Sequence, residues 1–301
     1  MLTPDPQASP ATKADTSPDT RAVWTDDRLD DPHRDEEKAA RVHAMFDAIA
    51  ASYDLNNRVH SLWRDQAWRR KAVALTRIRA ALDDVVDVAC GTGDLTLAFA
   101  EARPKSVRGV DFVPRMIEIA RHKTAQRFGP AGTDPETDSE VAPATTAADA
   151  DGSTVGIAGV PEPPRPTFAV GDAMALDLPD DCADVVSIAF GIRNVTDPAQ
   201  AIREFHRILR PGGRLLILEF SLPRHPVLRY GYEFYFNHIM PRTATLLSRD
   251  RTGAYRYLPR SVSTFLDRDQ LVGMMDAAGF VRITQHPLTF GICVAYLGHR
   301  A

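Results

Sequence analysis

The sequence predicts an α/β fold with a doubly wound, mostly parallel sheet, and two observations support this prediction. Five short apolar runs rich in valine, isoleucine and leucine are spaced along the chain, at residues 85–89, 107–111, 167–170, 185–189 and 215–218. Continuous apolar runs of this kind are typical of strands that are covered on both faces. Helical segments, two of them with Pro114 or Pro198 at the first turn, lie between these runs, as in βαβ units.

The C-terminal part completes the predicted sheet. A helix over residues 271–278 ends at Gly279, where glycine allows the chain to leave the helix. Residues 281–296 can then supply two final strands. We expect a C-terminal strand to run antiparallel to the others.

Composition predicts one globular domain at residues 38–301 with two disordered segments. Residues 1–37 and 129–166 contain few large apolar side chains, and each has a net charge of −6. Such segments bury too little apolar surface to offset the entropy lost on ordering. The rest of the chain therefore has a net charge of +8. This basic body could approach anionic lipid headgroups or be an ordinary solvated surface, and both alternatives remain open.

Other features narrow the class of protein. The sequence has no apolar run long enough to span a bilayer and no secretion signal at its start. Cys90, Cys182 and Cys293 lie far apart, so we expect neither disulfides nor a metal site, and a cytoplasmic location. We find no nucleic-acid-binding motif.

A glycine loop predicts a cofactor site at the end of the first strand. The string D-V-A-C-G-T-G-D places Gly91, Thr92 and Gly93 where this strand passes into a helix. Glycine lets the backbone turn tightly and approach a ligand, and the helix start presents free N–H groups. Thr96 stands where a dinucleotide fingerprint needs a third glycine, so a pyrophosphate is less expected. The alternative is an ordinary tight turn.

Two aspartates follow neighbouring strands and extend this candidate site. Asp111 ends the second strand, where a carboxylate can accept hydrogen bonds from two ribose hydroxyls. Asp172 and Ala173 follow the third strand, and Asp172 could accept a hydrogen bond from the amine of adenine. A helix-capping role for Asp172 is equally plausible.

Several longer strings resemble the ubiquinone/menaquinone biosynthesis C-methyltransferase family. They are G-T-G-D-L-T at 91–96, F-G-I-R-N-V-T-D at 190–197, R-I-L-R-P-G-G-R-L-L-I-L-E-F-S at 207–221 and A-S-Y-D-L-N-N-R-V-H-S-L-W at 51–63. The resemblance implies a Rossmann-like class I methyltransferase that uses S-adenosylmethionine. By motif position, Thr92, Asp111, Asp172 and Ala173 would contact this cofactor. The chain departs from the family pattern at Ala189, Trp63 and Asp65.

The resemblance also implies the reaction: conversion of demethylmenaquinol to menaquinol by methylation of a ring carbon. The site then needs a base, or a cation that stabilises the ring oxygen. Arg193 and Asn194, after the fourth strand, are the catalytic candidates. Arginine is a poor base, so Arg193 would act electrostatically. The alternative is that Arg193 pairs with a carboxylate to hold a loop. Secondary candidates are Tyr53, Asp54, Tyr235, Asn237, His238, Tyr255 and Arg256.

The partners that follow are a polyprenyl quinol and the membrane surface, with a homodimer left open and no nucleic acid expected. The aromatic stretch 230–236 could line a channel for the prenyl tail or form the core face of a helix. A benzoquinol ring of ubiquinone synthesis is an alternative substrate. Two rival functions also remain: methylation of another small molecule or RNA, and cofactor binding without catalysis.

Overall fold

A computed structural model describes residues 23–25, 28–61, 63–129, 162–248 and 252–301. Its centre is one seven-stranded sheet of order β3-β2-β1-β4-β5-β7-β6. The strands are β1 (Asp84–Val88), β2 (Ser106–Asp111), β3 (Thr167–Val170), β4 (Ala183–Ala189), β5 (Leu209–Phe220), β6 (Phe280–Leu288) and β7 (Cys293–Arg300). Only β7 runs antiparallel to its neighbours, β5 and β6. The prediction of a mostly parallel sheet with an antiparallel C-terminal strand is confirmed.

Ten α-helices are described around the sheet. They are α1 (Lys38–Ile49), α2 (Tyr53–His60), α3 (Arg64–Thr76), α4 (Asp94–Glu101), α5 (Pro114–Phe128), α6 (Pro198–Ile208), α7 (Pro226–Phe234), α8 (Met240–Ser248), α9 (Ala254–Ser263) and α10 (Arg268–Ala277). Asp197 caps α6 with Pro198 at the first position, and Asp267 with Gln270 forms a capping box for α10. A π-helical segment, Tyr235–Ile239, joins α7 to α8.

The sheet is covered on both faces, as its continuous apolar strands require. Val186, Ile188 and Ile217 pack with α6 and α10 in one apolar cluster. Val185, Leu216 and Leu218 belong to a second cluster with α3 and α4. The alternation of these neighbours along β4 and β5 follows from the two-residue period of a strand.

The N-terminal segment is partly packed, which corrects the prediction of a disordered tail over residues 1–37. Trp24 is fully buried, its ring stacks on Tyr257 with centroids 4.5 Å apart, and its backbone N–H donates to the carbonyl of Thr252 at 3.0 Å. Leu29 is also buried. The average composition of the segment is polar and does not reveal single large apolar residues such as Trp24 and Leu29. Burial of an aromatic ring removes a large apolar area from water and so holds the chain in place at that point. Residues 1–22 lie outside the described residues.

The predicted insertion at 129–166 lies almost wholly outside the described residues. At its edges, the guanidinium of Arg165 donates to the carbonyl of Gly129 at 2.6 Å, and Pro166 is buried. These two ends are therefore close together. An insertion between them would need no rearrangement of α5 or β3.

Candidate active site

The fold creates a crevice between β1 and β4. The connections after these strands run to opposite sides of the sheet, and ligands of doubly wound sheets bind at such a switch point. A cavity of about 820 Å³ lies there, which we call the sheet-edge cavity. Its lining includes Gly91, Asp111, Phe112, Asp172, Ala173, Met174, Ala189, Phe190 and Asn194. The structure thus brings together four of the six predicted cofactor residues, together with Asn194.

Glycine is required in the loop for two different reasons. Gly91 and Gly93 both have positive φ, +56° and +84°, which is the left-handed region that favours glycine. A Cβ on Gly93 would also lie 3.1 Å from the Cβ of Ala120. Gly91 lines the cavity, whereas Gly93 does not: it begins α4 and lets that helix pack against α5.

Asp111 shapes the loop as well as the cavity. One carboxylate oxygen accepts from the N–H of Gly91 at 2.7 Å, and the other accepts from the N–H of Val113 at 2.9 Å. Each carboxylate oxygen has a second lone pair. The side chain is nearly buried, and burial raises the pKa of its carboxyl group. Asp111 therefore has the acceptor capacity that two ribose hydroxyls require.

Asp172 stabilises a turn and does not cap a helix, because β3 is followed by a turn and then by β4 among the described residues. Its side chain accepts from the N–H of Met174 at 2.9 Å, which fixes the turn after β3. The residue and its neighbour Ala173 also line the sheet-edge cavity. A turn role and a ligand role are therefore compatible at this position.

Thr92 lies outside the sheet-edge cavity, in a smaller polar cavity that Gly91 also lines. Its hydroxyl donates to Asp54 at 2.6 Å and accepts from the ammonium of Lys123 at 3.0 Å. Lys123 also contacts Asp94 at 2.6 Å. Thr92 lines a small polar cavity of about 300 Å³, together with Tyr53, Arg69, Asp87, Gly91 and Asp94, and does not line the sheet-edge cavity.

Asp87 is a buried carboxylate to which the sequence analysis assigned no role. It accepts from the hydroxyl of Thr96 at 2.7 Å and from that of Ser187 at 2.6 Å. Burial raises the pKa of Asp87 to about 6, although the two hydrogen bonds favour the charged form and lower the pKa. The carboxylate ties together β1, β4 and α4 directly below the glycine loop. Its position inside the D-V-A-C-G string was the available signal.

A second cavity of similar size, about 940 Å³, adjoins the first, and we call it the aromatic cavity. Its lining includes Phe46, Tyr53, Asn57, His60, Ser61, Asp65, Trp68, Arg69, Phe190, Arg193, Phe220, Tyr232, Tyr235, Phe236, Tyr255 and Tyr257. Tyr53 and Phe190 line both cavities, so the two meet at the end of β4. The aromatic stretch near residue 230 is therefore divided. Tyr232, Tyr235 and Phe236 line the cavity, whereas Tyr230 and Phe234 are exposed.

The structure places the two catalytic candidates in different cavities. Arg193 lines the aromatic cavity and Asn194 the sheet-edge cavity. The Arg193 guanidinium donates to Glu219 at 2.7 Å and to the carbonyl of Phe190 at 2.6 Å. This is the loop-holding ion pair that the sequence analysis weighed as the alternative. Asn194 accepts from the hydroxyl of Tyr257 at 2.9 Å.

Two polar side chains of the aromatic cavity had not been singled out. Burial lowers the pKa of His60, and its Nε2 is buried with no hydrogen-bond partner among the described residues. Arg69 lies over the ring of Phe190, 5.4 Å from its centroid. The signal was helical spacing, because Tyr53, Asn57 and His60 recur on one face of α2. The secondary candidate His238 is exposed and is not in this lining.

The residues that the structure describes contain no group of three or more His, Cys, Asp or Glu side chains that could hold a metal ion. Within the same ranges, every helix is too short or too polar to cross a bilayer.

Comparison with known proteins identifies the family. The profile of the ubiE/COQ5 methyltransferase family matches residues 34–131 and 164–300. A ubiquinone/menaquinone biosynthesis C-methyltransferase of Geotalea daltonii is 37% identical over 88% of this chain and 98% of its own length. A demethylmenaquinone methyltransferase of Deinococcus radiodurans is 37% identical over 88% of this chain and 95% of its own length. That of Thermus thermophilus is 39% identical over 85% of this chain and 100% of its own length.

Solved structures agree with this fold at low sequence identity. An S-adenosylmethionine-dependent methyltransferase of Thermotoga maritima superimposes with a TM-score of 0.53, at 19% identity, over 86% of this chain and 100% of its own. The cyclase SpnF superimposes with a TM-score of 0.54, at 16% identity, over 87% of this chain and 96% of its own. These similarities concern the fold alone. The profile and the relatives show more: the chain belongs to the ubiE/COQ5 methyltransferase family and is an S-adenosylmethionine-dependent methyltransferase.

Proposed function

We propose that the chain methylates a ring carbon of a reduced polyprenyl quinone, with demethylmenaquinol as its substrate. Curated relatives are named for ubiquinone/menaquinone biosynthesis or as demethylmenaquinone methyltransferases. The observation that carries the proposal is the junction of the two cavities at Tyr53 and Phe190. A flat aromatic ring in the aromatic cavity would present a carbon to the sheet-edge cavity, and an apolar lining suits a prenyl chain.

The residues at the sheet edge fit S-adenosylmethionine. Asp111 would accept the ribose hydroxyls, and Asp172 and Ala173 with the apolar Phe112 would hold the adenine. Gly91 lines both the sheet-edge cavity and the small polar cavity, where Arg69, Asp87 and Asp94 suit a charged amino-acid tail. When bound, S-adenosylmethionine supplies an electrophilic methyl carbon. The chain's own contribution is to orient the two reactants and exclude water between them.

His60 is placed to accept a proton from the substrate. Its Nε2 is the buried, unpartnered nitrogen, and its Nδ1 lies 3.5 Å from the hydroxyl of Tyr235. Burial lowers the pKa of His60, which favours the neutral imidazole that can accept a proton. In the proposed step, Nε2 takes the proton of a ring hydroxyl while the ring carbon bonds to the methyl carbon and the carbon–sulfur electron pair stays on sulfur. The ring C–H proton then leaves to solvent, and the imidazolium returns its proton to the ring oxygen.

Replacing His60 with glutamine should lower kcat by about 100-fold, the usual contribution of a positioned base. In the unchanged protein, turnover should fall as the pH drops through the lowered pKa of His60, because the protonated imidazole cannot accept a proton. The variant should lack this acidic limb. A pH profile of kcat for both proteins checks the prediction, with exposed His238→Gln as the matched control. A variant that keeps both its rate and the acidic limb would exclude His60 as the base.

The experiment that tests the proposed function is a methylation assay with a labelled donor. Reduced demethylmenaquinone, a reduced benzoquinone precursor and RNA are offered separately. We expect the label on the naphthoquinol ring, located by mass spectrometry. Methylated RNA with an unlabelled quinol would overturn the proposal, and donor binding with no acceptor methylated would favour a binding protein.

A further inference from the structure

One helix beside the aromatic cavity has its apolar side chains in solvent. We propose that α7 (Pro226–Phe234) is a docking surface for an anionic lipid bilayer, through which the prenyl substrate reaches the cavity. This inference rests on the proposed function, because a prenyl quinol resides in the bilayer. The apolar exposure of α7, the charge around it and its position beside the aromatic cavity favour a lipid surface as its partner.

The apolar exposure of α7 is unusual for a helix in solvent. None of its residues is buried. Val227, Tyr230 and Phe234 are 73%, 76% and 53% exposed, and their spacing of three and four residues places them on one face. Leu228 on the same helix and Leu246 on α8 are exposed as well. Adjacent exposed apolar residues of this kind mark an interaction site.

The charge around this face complements an anionic surface. Residues 224–248 contain three arginines, Arg224, Arg229 and Arg242, and a single acidic residue, Glu233. Arg229 pairs with Glu233 at 2.8 Å on the surface, an ion pair that headgroup phosphates can replace at little cost. A short amphipathic helix with basic residues beside aromatic and aliphatic ones is typical of segments that lie in the membrane interface.

The position of the helix connects the surface with the proposed substrate site. The exposed face belongs to the same continuous segment as Tyr232, Tyr235 and Phe236, whose side chains line the aromatic cavity. The segment Tyr235–Ile239 is π-helical, and such segments widen a helix locally. If α7 rests in the headgroup region, the tail of the substrate can stay in the bilayer while its ring enters between these aromatic side chains.

Vesicle co-sedimentation tests the inference on the full chain. Vesicles of phosphatidylcholine alone and with 30 mol% phosphatidylglycerol (about one anionic lipid in three) are compared. We expect binding to the anionic vesicles, reduced at least about tenfold in a variant with Val227→Ser, Tyr230→Ser and Phe234→Ser. A matched control carries Leu82→Ser, Val281→Ser and Phe290→Ser, which are exposed apolar residues on other elements. It should bind as the unchanged protein does.

Three results would overturn the inference. The first is that the unchanged protein does not bind anionic vesicles. The second is that the α7 variant and the control lose vesicle binding equally. The third is that sedimentation velocity shows a dimer that the α7 substitutions dissociate. The last would assign the face to a second copy. Vesicle binding is measured without turnover, so a failure of this inference can be distinguished from a failure of the proposed function. A detergent-solubilised, short-tailed quinol should still be methylated by the α7 variant.

Discussion

Replacing Arg193 with alanine is expected to destabilise the protein strongly and abolish its turnover. Arg193 and Glu219 are 5% and 2% exposed, and the guanidinium contacts the buried carboxyl group at 2.7 Å and favours its charged form. Burial raises the pKa of Glu219, opposed mainly by the charge of Arg193. Removing one partner of a buried ion pair costs about 3–5 kcal/mol, because the other charge remains in a poorly solvated place. Denaturant unfolding, monitored by circular dichroism, would measure the loss.

A double variant separates the structural role of Arg193 from a direct role in catalysis. Arg193→Met removes the cation, and Glu219→Gln removes the charge while keeping an oxygen for the N–H of Phe220, which donates at 2.8 Å. We expect the double variant to regain most of the lost stability, since neither change leaves a buried charge. Turnover should return to within about tenfold of the unchanged protein if Arg193 acts only by holding residues 190–194.

The opposite outcome has a clear meaning. A double variant that is folded and binds the donor, but turns over about 100-fold slower, would assign to the guanidinium a direct interaction with the ring oxygen. Arg193 would then be catalytic, as the sequence analysis favoured. Arg214→Met is a suitable control, because Arg214 pairs with Asp83 at the other end of the sheet and touches neither cavity.

The fold could be predicted from the sequence because each strand is itself an apolar run. Residues 167–170 were predicted as a strand with the bounds that β3 has, and the other four runs overlap β1, β2, β4 and β5. Strand position is a local property of a doubly covered sheet, so it survives in the sequence. The partner of Arg193 is not local. Glu219 lies 26 residues further along the chain, and only the pairing of β4 with β5 brings the two together.

The candidate site shows the same division between local and distant information. Gly91, Asp111 and Asp172 follow successive strands, and parallel strands end at one edge, so their convergence could be predicted. The aromatic cavity could not, because it is assembled from α2, α3, α9 and the segment around Phe236. Trp24 was missed for the same reason. Its burial depends on Tyr257, which lies on α9 near the other end of the chain.

Substituting Asp111 should have the largest effect on binding of the methyl donor. In Asp111→Asn, one of the two side-chain oxygens becomes an N–H₂ group, which cannot accept from Gly91 or Val113. The loop then loses one of its two anchors, and a ribose hydroxyl loses its charged acceptor. Each lost hydrogen bond to a charged group costs about 1.5–3 kcal/mol, so the Kd for S-adenosylmethionine should rise by about 10- to 100-fold. Isothermal titration calorimetry measures this change.

The control for this prediction is Asp172→Asn. Its retained oxygen can still accept from the N–H of Met174, so the turn after β3 keeps its shape and the affinity should change less. The unchanged protein should also bind the donor more weakly as the pH falls through the raised pKa of Asp111, because the protonated carboxyl group has lost acceptor capacity. Asp111→Asn should lack this dependence. Equal affinity in the two variants would mean that Asp111 only shapes the loop, and the ribose would then have to be held by another side chain of the sheet-edge cavity.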